Sequence, residues 1–411
     1  MLQDVRLIDG TGHAPVDHVS ILISKGKIAK ISNGGSVTNE RRNIHVLKLS
    51  GKTVMPGLIA GHAHLGLTKG TSSGPRNYTP DNVKGQLAQY ERYGVTTVVS
   101  LGLNKDLLYG LRAAQEKGQF GGATILTADR GIGTPGGVPA VHVGSDQLYR
   151  PKNPDEARKA VQEMASRDPN LIKIWVDDNL HKLPEPNPTV YTAAINETHR
   201  QHLKVAAHVF YLDDAKQLVR DGVDILAHSI RDREVDADTL SAMHEKKVYY
   251  LPTLQLEESF FAYAEHPAWM DTPFFQNAVT SKVEKMLRRK DKSTPVHKAA
   301  FQMAMVNLKK VHDNGIAVGF GTDSGANPFR IAGWAEHREL QLMVQAGLTP
   351  LDAIHSATEV NAGMLQINEK TGTVTVGKQA DLIVLDADPS ADIKNTEKIA
   401  MIFHNGREVK R

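Results

Sequence analysis

The chain has 411 residues, 40% of them hydrophobic, which suits one large domain with a sizeable core and a second, smaller one. A formal net charge of +3 is too small for this length to indicate a nucleic-acid or membrane partner. The absence of cysteine excludes disulfides and thiolate metal ligands. No apolar run is long enough for a transmembrane helix, and the N-terminus does not look like a signal peptide. We therefore expect a soluble protein, cytoplasmic by default, or exported if a leader has been removed.

Both ends of the chain are predicted to consist of short β-strands. A hairpin is indicated near the N-terminus, and an Asn-Gly turn follows several strand-like runs near the C-terminus. We predict that residues 1–55 and 366–411 pair in one small β-sandwich domain. The runs are residues 19–23 and 27–31 around the turn at 24–26, and residues 372–374, 380–385 and 399–403 before Asn405-Gly406.

The middle of the chain, residues 56–365, alternates apolar runs of strand length with helical stretches. Continuous apolar runs are typical of parallel strands buried on both faces, and their alternation with helices indicates βαβ units. Eight units predict an α/β fold, a (β/α)8 TIM barrel, whereas the alternative is an open doubly wound sheet. The runs are residues 58–65, 95–101, 123–127, 171–176, 205–210, 223–230, 248–254 and 316–321.

A long polar insert, residues 255–298, follows the seventh run. Loops that follow barrel strands lie at the catalytic face of a TIM barrel, so this insert is a candidate lid. The alternative is a surface elaboration with no functional role.

Polar side chains stand where several of these runs end. The first run ends in Gly61-His62-Ala63-His64, and residues i and i+2 of a strand point the same way, so both imidazoles would face the barrel mouth. Each polar residue has a structural alternative, as a core histidine or a helix-capping aspartate. Their common position at strand ends favours one metal site. The other strand-end candidates are His208, His228 and Asp323.

Lys173 lies inside the fourth run, between isoleucines. A free ammonium is costly in a buried strand, because burial favours the neutral amine. A neutral amine reacts with carbon dioxide to give a carbamate, whose two oxygens can bridge two cations. The alternative is an interior ion pair with Asp177 or Asp178, and the neighbouring histidines favour the carbamate.

This order of residues resembles the amidohydrolase superfamily: an HxH pair, a lysine, two histidines and an aspartate on strands one, four, five, six and eight. The lysine is similar to that of the binuclear members. The chain looks closest to the imidazolonepropionase-like group, which includes Xaa-Pro and Xaa-Arg dipeptidases and ochratoxin-type amidases. The resemblance covers nearly the whole chain, and its other motifs are residues 7–12, 54–59, 377–384 and 405–406.

The resemblance implies two divalent metal ions bridged by a hydroxide, with zinc as the default and cobalt or manganese as substitutes. Asp323 would also act catalytically, as the shuttle that carries a proton from the nucleophile to the leaving amine. The implied ligands are His62, His64 and Asp323 for the buried ion, His208 and His228 for the exposed ion, and carboxylated Lys173 for both.

Two positions depart from the superfamily pattern. Gly61 stands where an acidic residue usually precedes the HxH pair, but this position is not a ligand. Tyr211 stands three residues after His208, where deaminases and imidazolonepropionases carry a catalytic glutamate. The second departure argues against deamination and against imidazolone ring opening.

Three further residues are candidates for contact with a small-molecule substrate. The resemblance places His142, after the third strand, at the substrate carbonyl, where it would assist catalysis. Tyr211 and Arg231 follow ligand strands and would hold a carboxylate. For each of them the alternative is a loop or rim residue without a role.

The resulting hypothesis is a metal-dependent hydrolase that cleaves an amide bond, in a dipeptide or an N-acyl amino acid. A lactonase or phosphotriesterase on the same metal pair is the enzymatic alternative. A non-catalytic scaffold that has lost its metals is the alternative from another class. A homo-oligomer is compatible with the resemblance, although no residue indicates one.

Overall fold

The computed structural model describes residues 1–34, 44–289 and 295–410. The strands are β1 (Leu2–Leu7), β2 (Val16–Ser24), β3 (Lys27–Asn33), β4 (Leu47–Lys48), β5 (Thr53–Pro56), β6 (Leu58–Ala63), β7 (Thr68–Lys69), β8 (Ser72–Ser73), β9 (Val95–Ser100), β10 (Thr124–Thr127), β11 (Ile172–Trp175), β12 (Val205–His208), β13 (Ile225–Ala227), β14 (Tyr249–Leu251), β15 (Leu382–Leu385), β16 (Ile399–His404) and β17 (Arg407–Glu408).

The helices in the described ranges occupy the connections between these strands. The α-helices are α1 (Pro80–Arg92), α2 (Leu107–Glu116), α3 (Pro154–Ala165), α4 (Pro188–Arg200), α5 (Leu212–Asp221), α6 (Ala237–Glu245), α7 (Leu254–Glu258), α8 (Pro273–Gln276), α9 (Ser281–Arg288), α10 (Pro295–Asp313), α11 (Trp334–Gln345), α12 (Pro350–His355) and α13 (Asn361–Met364). Over the part of the chain that the structure describes, no helix combines the length and apolar character that crossing a membrane requires.

Strands from both chain ends share one hydrogen-bonded sheet, in the order β17-β16-β15-β5-β1-β2-β3, with β4 against β1. The predicted N-terminal hairpin is confirmed, since β2 and β3 pair antiparallel around the turn. The sheet covers its own apolar cluster, which includes Leu2, Ile21 and Val384. The structure gives one continuous path of strands, so the sandwich and the domain division stay predictions.

The middle of the chain contains two parallel sheets, β6-β9-β10 and β11-β12-β13-β14. These seven strands coincide with the first seven apolar runs predicted from sequence. Helices separate them, and proline and polar caps begin several of these helices. In α3, for example, Pro154 takes the first position and the Asn153 side chain accepts from the backbone N–H of Glu156.

The eighth predicted strand is not regular, and the prediction for residues 316–321 is wrong in that respect. Its backbone nevertheless bonds to both neighbours: Gly319 N–H donates to Tyr250 O, and Gly61 N–H donates to Phe320 O, each at 2.9 Å. The physical reason is that the backbone of this segment approaches His62 in β6 closely. A Cβ on Gly321 would lie 2.6 Å from Cβ of His62, so this segment must be glycine-rich, which weakens regular strand structure.

The insert after β14 folds against the rest of the chain. Its helices α8 and α9 contribute to a separate aromatic cluster that includes Tyr263, Phe275 and Trp334. Residues 290–294 of the predicted lid, 255–298, lie outside the described residues. The lid itself stays a prediction.

Candidate metal centre and its cavity

A cavity of about 790 Å³ opens where the parallel strands end. The carboxyl ends of such strands are where an α/β fold collects functional side chains. Besides Asp323, five predicted site residues line this cavity: His64, His142, His208, His228 and Arg231. His62 and Lys173 are buried and do not line the cavity.

His62, His64 and Asp323 form a compact buried group. Oδ1 of Asp323 lies 3.2 Å from Nε2 of His62 and 2.9 Å from Nε2 of His64. One ligand atom from each residue lies within 4.8 Å of the others, which is the spacing that a shared cation requires. The structure therefore brings together the three residues predicted to hold the buried ion.

His208 and His228 continue this group on the cavity side. The ring centroid of His228 lies 4.5 Å from that of His62 and 4.4 Å from that of His208. The rings of His64, His62, His228 and His208 thus form one series of neighbours.

Three of these imidazoles have one nitrogen occupied by a protein acceptor. Nδ1 of His64 lies 3.3 Å from the carbonyl oxygen of Gly102. Nε2 of His208 lies 2.8 Å from Oδ2 of Asp177, and Nδ1 of His228 lies 2.7 Å from Oγ1 of Thr253. Metal-bound histidines characteristically use the second nitrogen in this way, because the bond fixes the ring and its tautomer.

Lys173 is fully buried in β11, and its Nζ has no hydrogen-bond partner among the described residues. Nζ lies over the Trp175 ring, 5.3 Å from its centroid. Burial lowers the pKa of Lys173 to about 7, although Asp323 opposes the shift. The alternative interior ion pair is not formed, since Asp177 pairs with His208 and Asp178 pairs with His181 instead.

Burial governs the protonation of the histidines. It lowers the pKa values of His62 and His228 well below the usual range, and that of His208 more moderately. Lys173, in its protonated form, lowers all three pKa values further. Neutral imidazoles are the form that binds metal ions.

Asp323 is held as a carboxylate. Burial by itself would raise its pKa, but Arg330 and the two imidazoles of His62 and His64 outweigh burial and hold the pKa well below its usual range. Together with Lys173, these groups give a donor set of nitrogen and oxygen without sulfur, which fits zinc and related divalent ions.

Several residues of the site have left-handed or otherwise rare backbone conformations. The φ angle is +58° at Asp323, +127° at His228 and +48° at Thr253. Such angles are costly for residues with a Cβ and are typical of functional sites.

The first departure from the superfamily pattern has a packing explanation. A Cβ on Gly61 would lie 2.8 Å from the Phe320 carbonyl oxygen and 3.0 Å from Nδ2 of Asn361. No side chain fits there, so a glycine is required next to the histidine pair.

His142 is exposed and lies on a loop at the cavity wall. Arg150 holds this loop from behind: Nη1 donates to the carbonyl oxygens of Thr134 and Gly137, and Nη2 donates to that of Pro139 at 2.6 Å. His142 thus lies on the wall of the cavity that His64, His208 and His228 also line.

The structure does not bring Tyr211 to the cavity wall. Its hydroxyl donates to Oδ1 of Asp178 at 2.7 Å, and its ring stacks on His181 with centroids 5.1 Å apart. Arg231 does line the cavity but is paired with Glu257 at 2.7 Å. That either residue contacts a substrate carboxylate stays a prediction.

Sequence reasoning missed two residues that touch the site. Arg330 contacts Oδ2 of Asp323, and Thr253 contacts His228. Their positions along the chain are the one feature that could have indicated them. Both follow segments that end at the face where a barrel collects its functional groups.

The chain belongs to the amidohydrolase family, whose sequence model matches residues 53–409. The resemblance stated from the motifs is therefore confirmed at the level of the family. Ochratoxinase from Aspergillus niger is 28% identical over 262 residues, which are 61% of this chain and 48% of that protein. The chain thus spans about half the length of the curated relatives it matches.

Solved structures resemble the whole chain. A Xaa-Pro dipeptidase with methionine bound in its active site has a TM-score of 0.80 at 24% identity, covering 100% of this chain and 99% of that one. Molinate hydrolase has a TM-score of 0.77 at 22% identity, and the match covers 100% of this chain and 94% of that one. At these identities the likeness shows the fold, and with the family match it implies a TIM barrel.

Proposed function

We propose that this protein is a metal-dependent hydrolase that cleaves the amide bond of a dipeptide or an N-acyl amino acid. The observation that carries the proposal is the buried group of His62, His64 and Asp323 at the cavity, with the rings of two more histidines, His228 and His208, next to it. The ochratoxinase and Xaa-Pro dipeptidase likenesses support amide substrates.

The proposed centre holds two divalent cations, zinc by default. His62, His64 and Asp323 would bind one ion, His208 and His228 the other, and Lys173 would bridge both as its carbamate. An unpartnered buried amine with a pKa of about 7 supports the carbamate, because the neutral amine is the form that reacts with carbon dioxide. Bound metals would supply an activated water and polarise the scissile carbonyl.

The proposed architecture is a closed (β/α)8 barrel. The backbone bonds of residues 316–324 to both β14 and β6 support closure on one side. On the other side, Ile132 N–H donates to Lys173 O and Trp175 N–H donates to Ile132 O, which links β11 to the segment that follows β10.

The remaining roles belong to the chain's own side chains. We assign Asp323 to carry a proton from the attacking water to the leaving nitrogen, because an amine departs readily only when protonated. His142, presented by its loop, would donate to the carbonyl oxygen as negative charge develops there. The apolar part of the cavity wall, with Trp175, Phe210 and Phe260, would exclude water and receive an apolar acyl group or side chain.

A substrate screen tests the proposal. Protein purified with zinc and bicarbonate is assayed against dipeptides, N-acyl amino acids, lactones and phosphotriesters. We expect amides with a C-terminal carboxylate to be hydrolysed fastest. Preferred lactones or phosphotriesters would replace this assignment with the alternative hydrolase on the same site. No turnover of any class in metal-loaded protein would favour the scaffold.

A further inference from the structure

Two buried arginines face the same cavity, but their nitrogens are used differently. In Arg231, Nη1 donates to Oε1 of Glu257 at 2.7 Å, and Nη2 donates to the carbonyl oxygen of Val209 at 2.9 Å. The ring of Phe210 lies 4.7 Å from its guanidinium carbon. Arg231, the residue that the sequence singles out for a substrate carboxylate, therefore already has acceptors for both terminal nitrogens.

Arg330 has donors without acceptors. Among the described residues, Nε is buried with no hydrogen-bond partner in both arginines, but Arg330 uses only one terminal nitrogen, Nη1, which contacts Oδ2 of Asp323, whereas Arg231 uses both. The guanidinium lies over Phe260, with its central carbon 5.4 Å from the ring centroid, and both side chains line the cavity. A buried N–H without an acceptor is costly, so a ligand oxygen at this edge would relieve that cost.

Once a metal is bound, the positive charge of Arg330 at the cavity wall has no full carboxylate charge opposite it. Glu257 pairs with Arg231 and lies 3.1 Å from Nδ1 of His297. Two more carboxylates line the cavity: Asp177 pairs with His208, and in the proposed function the charge of Asp323 is shared with the metal. An anionic group of the substrate would supply the missing charge.

We propose that Arg330, rather than Arg231, contacts the carboxylate of the substrate and selects carboxylate-bearing amides. This assignment deepens the proposed function and rests on it. The edge formed by Nε and Nη2 suits the side-on, two-point contact that guanidinium makes with a carboxylate. Arg231 has a structural role: it neutralises Glu257 and ties the insert to the end of β12.

Binding of probes that cannot be hydrolysed tests this assignment without requiring turnover. We would measure by calorimetry the affinity of the zinc-loaded protein for 3-phenylpropionate and for the neutral 3-phenylpropan-1-ol. The variants are Arg330→Gln, Arg330→Lys and, as the matched control, Arg231→Gln. Metal content is measured on every sample, so that loss of zinc is separated from loss of the anion contact.

We expect Arg330→Gln to weaken 3-phenylpropionate binding about ten- to hundredfold, the range for a charge-assisted hydrogen bond, with the alcohol unaffected. Arg330→Lys should restore part of the loss, because it keeps the charge but not the two-point contact. Arg231→Gln should be less stable but should keep the ratio of acid to alcohol affinity. A ratio that survives Arg330→Gln, or that is lost in Arg231→Gln instead, overturns the assignment. If the ratio follows Arg330 but no amide is cleaved, the reaction is wrong and the anion contact stands.

Discussion

Nδ1 of His228 lies 2.7 Å from Oγ1 of Thr253, which leaves Nε2 of the same ring for a metal ion. Thr253 also has a left-handed backbone, with φ of +48°, so the chain is held in a costly conformation where this contact is made. The hydroxyl orients the imidazole from behind, as the partners of metal-bound histidines do.

Thr253→Val removes the hydroxyl and keeps the branched shape, so the backbone cost should be unchanged. We expect metal affinity to fall about ten- to hundredfold, measured by competition with a chelator. Thr96→Val is the matched control, because Thr96 is buried in β9 and its hydroxyl has no partner among the described residues. Equal metal affinity in the two variants would show that Thr253 does not orient His228.

Lys173→Met tests the bridging ligand. We expect this variant to retain less metal than the wild-type protein under the same bicarbonate and zinc supply, because a methionine cannot form the carbamate. Elemental analysis of the purified protein measures the effect. Lys204→Met is the control for removing a lysine next to a parallel strand, since the half-buried Lys204 precedes β12 and donates to the carbonyl oxygen of Met364. Wild-type metal content in Lys173→Met would exclude the carbamate.

The pH dependence of stability also tests the burial of Lys173. Its folded pKa of about 7 lies below the value of about 10.4 expected in the unfolded chain. Between these values the unfolded chain binds a proton that the folded chain does not, so the metal-free protein gains stability as pH rises. Metal-free Lys173→Met lacks this contribution. The free energy of unfolding of this variant should exceed that of the metal-free wild-type protein. The difference should be largest near pH 7 and shrink towards about pH 10. A difference that is constant with pH would mean that the lysine is not buried as a neutral amine.

Much of this site follows from the positions of residues relative to apolar runs. His62, His208 and His228 were predicted to meet because the carboxyl ends of parallel strands share one edge, and the structure places their rings within contact distance. The position of a strand end depends on neighbouring residues alone, so it can be predicted from the sequence.

Arg330 and Thr253 were not predicted, because their roles depend on loop paths that bring distant parts of the chain together. Glycines explain the eighth strand in the same way: Gly321 must approach His62 closely, and only the folded chain shows that contact. The pairing of Tyr211 with Asp178 likewise joins two loops that the sequence does not relate.

Asp323→Asn tests the assigned proton transfer. The amide keeps an oxygen that can face the histidines but cannot accept a proton as the carboxylate does. We expect the rate per bound metal to fall about a hundred- to ten-thousandfold, the range for a general acid–base group. Rate and metal content are measured on the same sample, which separates loss of chemistry from loss of metal. A variant that keeps its rate per metal would remove Asp323 from this role.

The amount of metal bound per chain shows whether the four histidines, Asp323 and Lys173 hold a pair of metal ions. The protein is purified with zinc and bicarbonate present, freed of loose metal, and analysed for every divalent metal. We expect about two equivalents, one bound by His62, His64 and Asp323 and one bound by His208 and His228. About one equivalent would contradict the bridged pair, and no bound metal after reconstitution would contradict the metal centre itself.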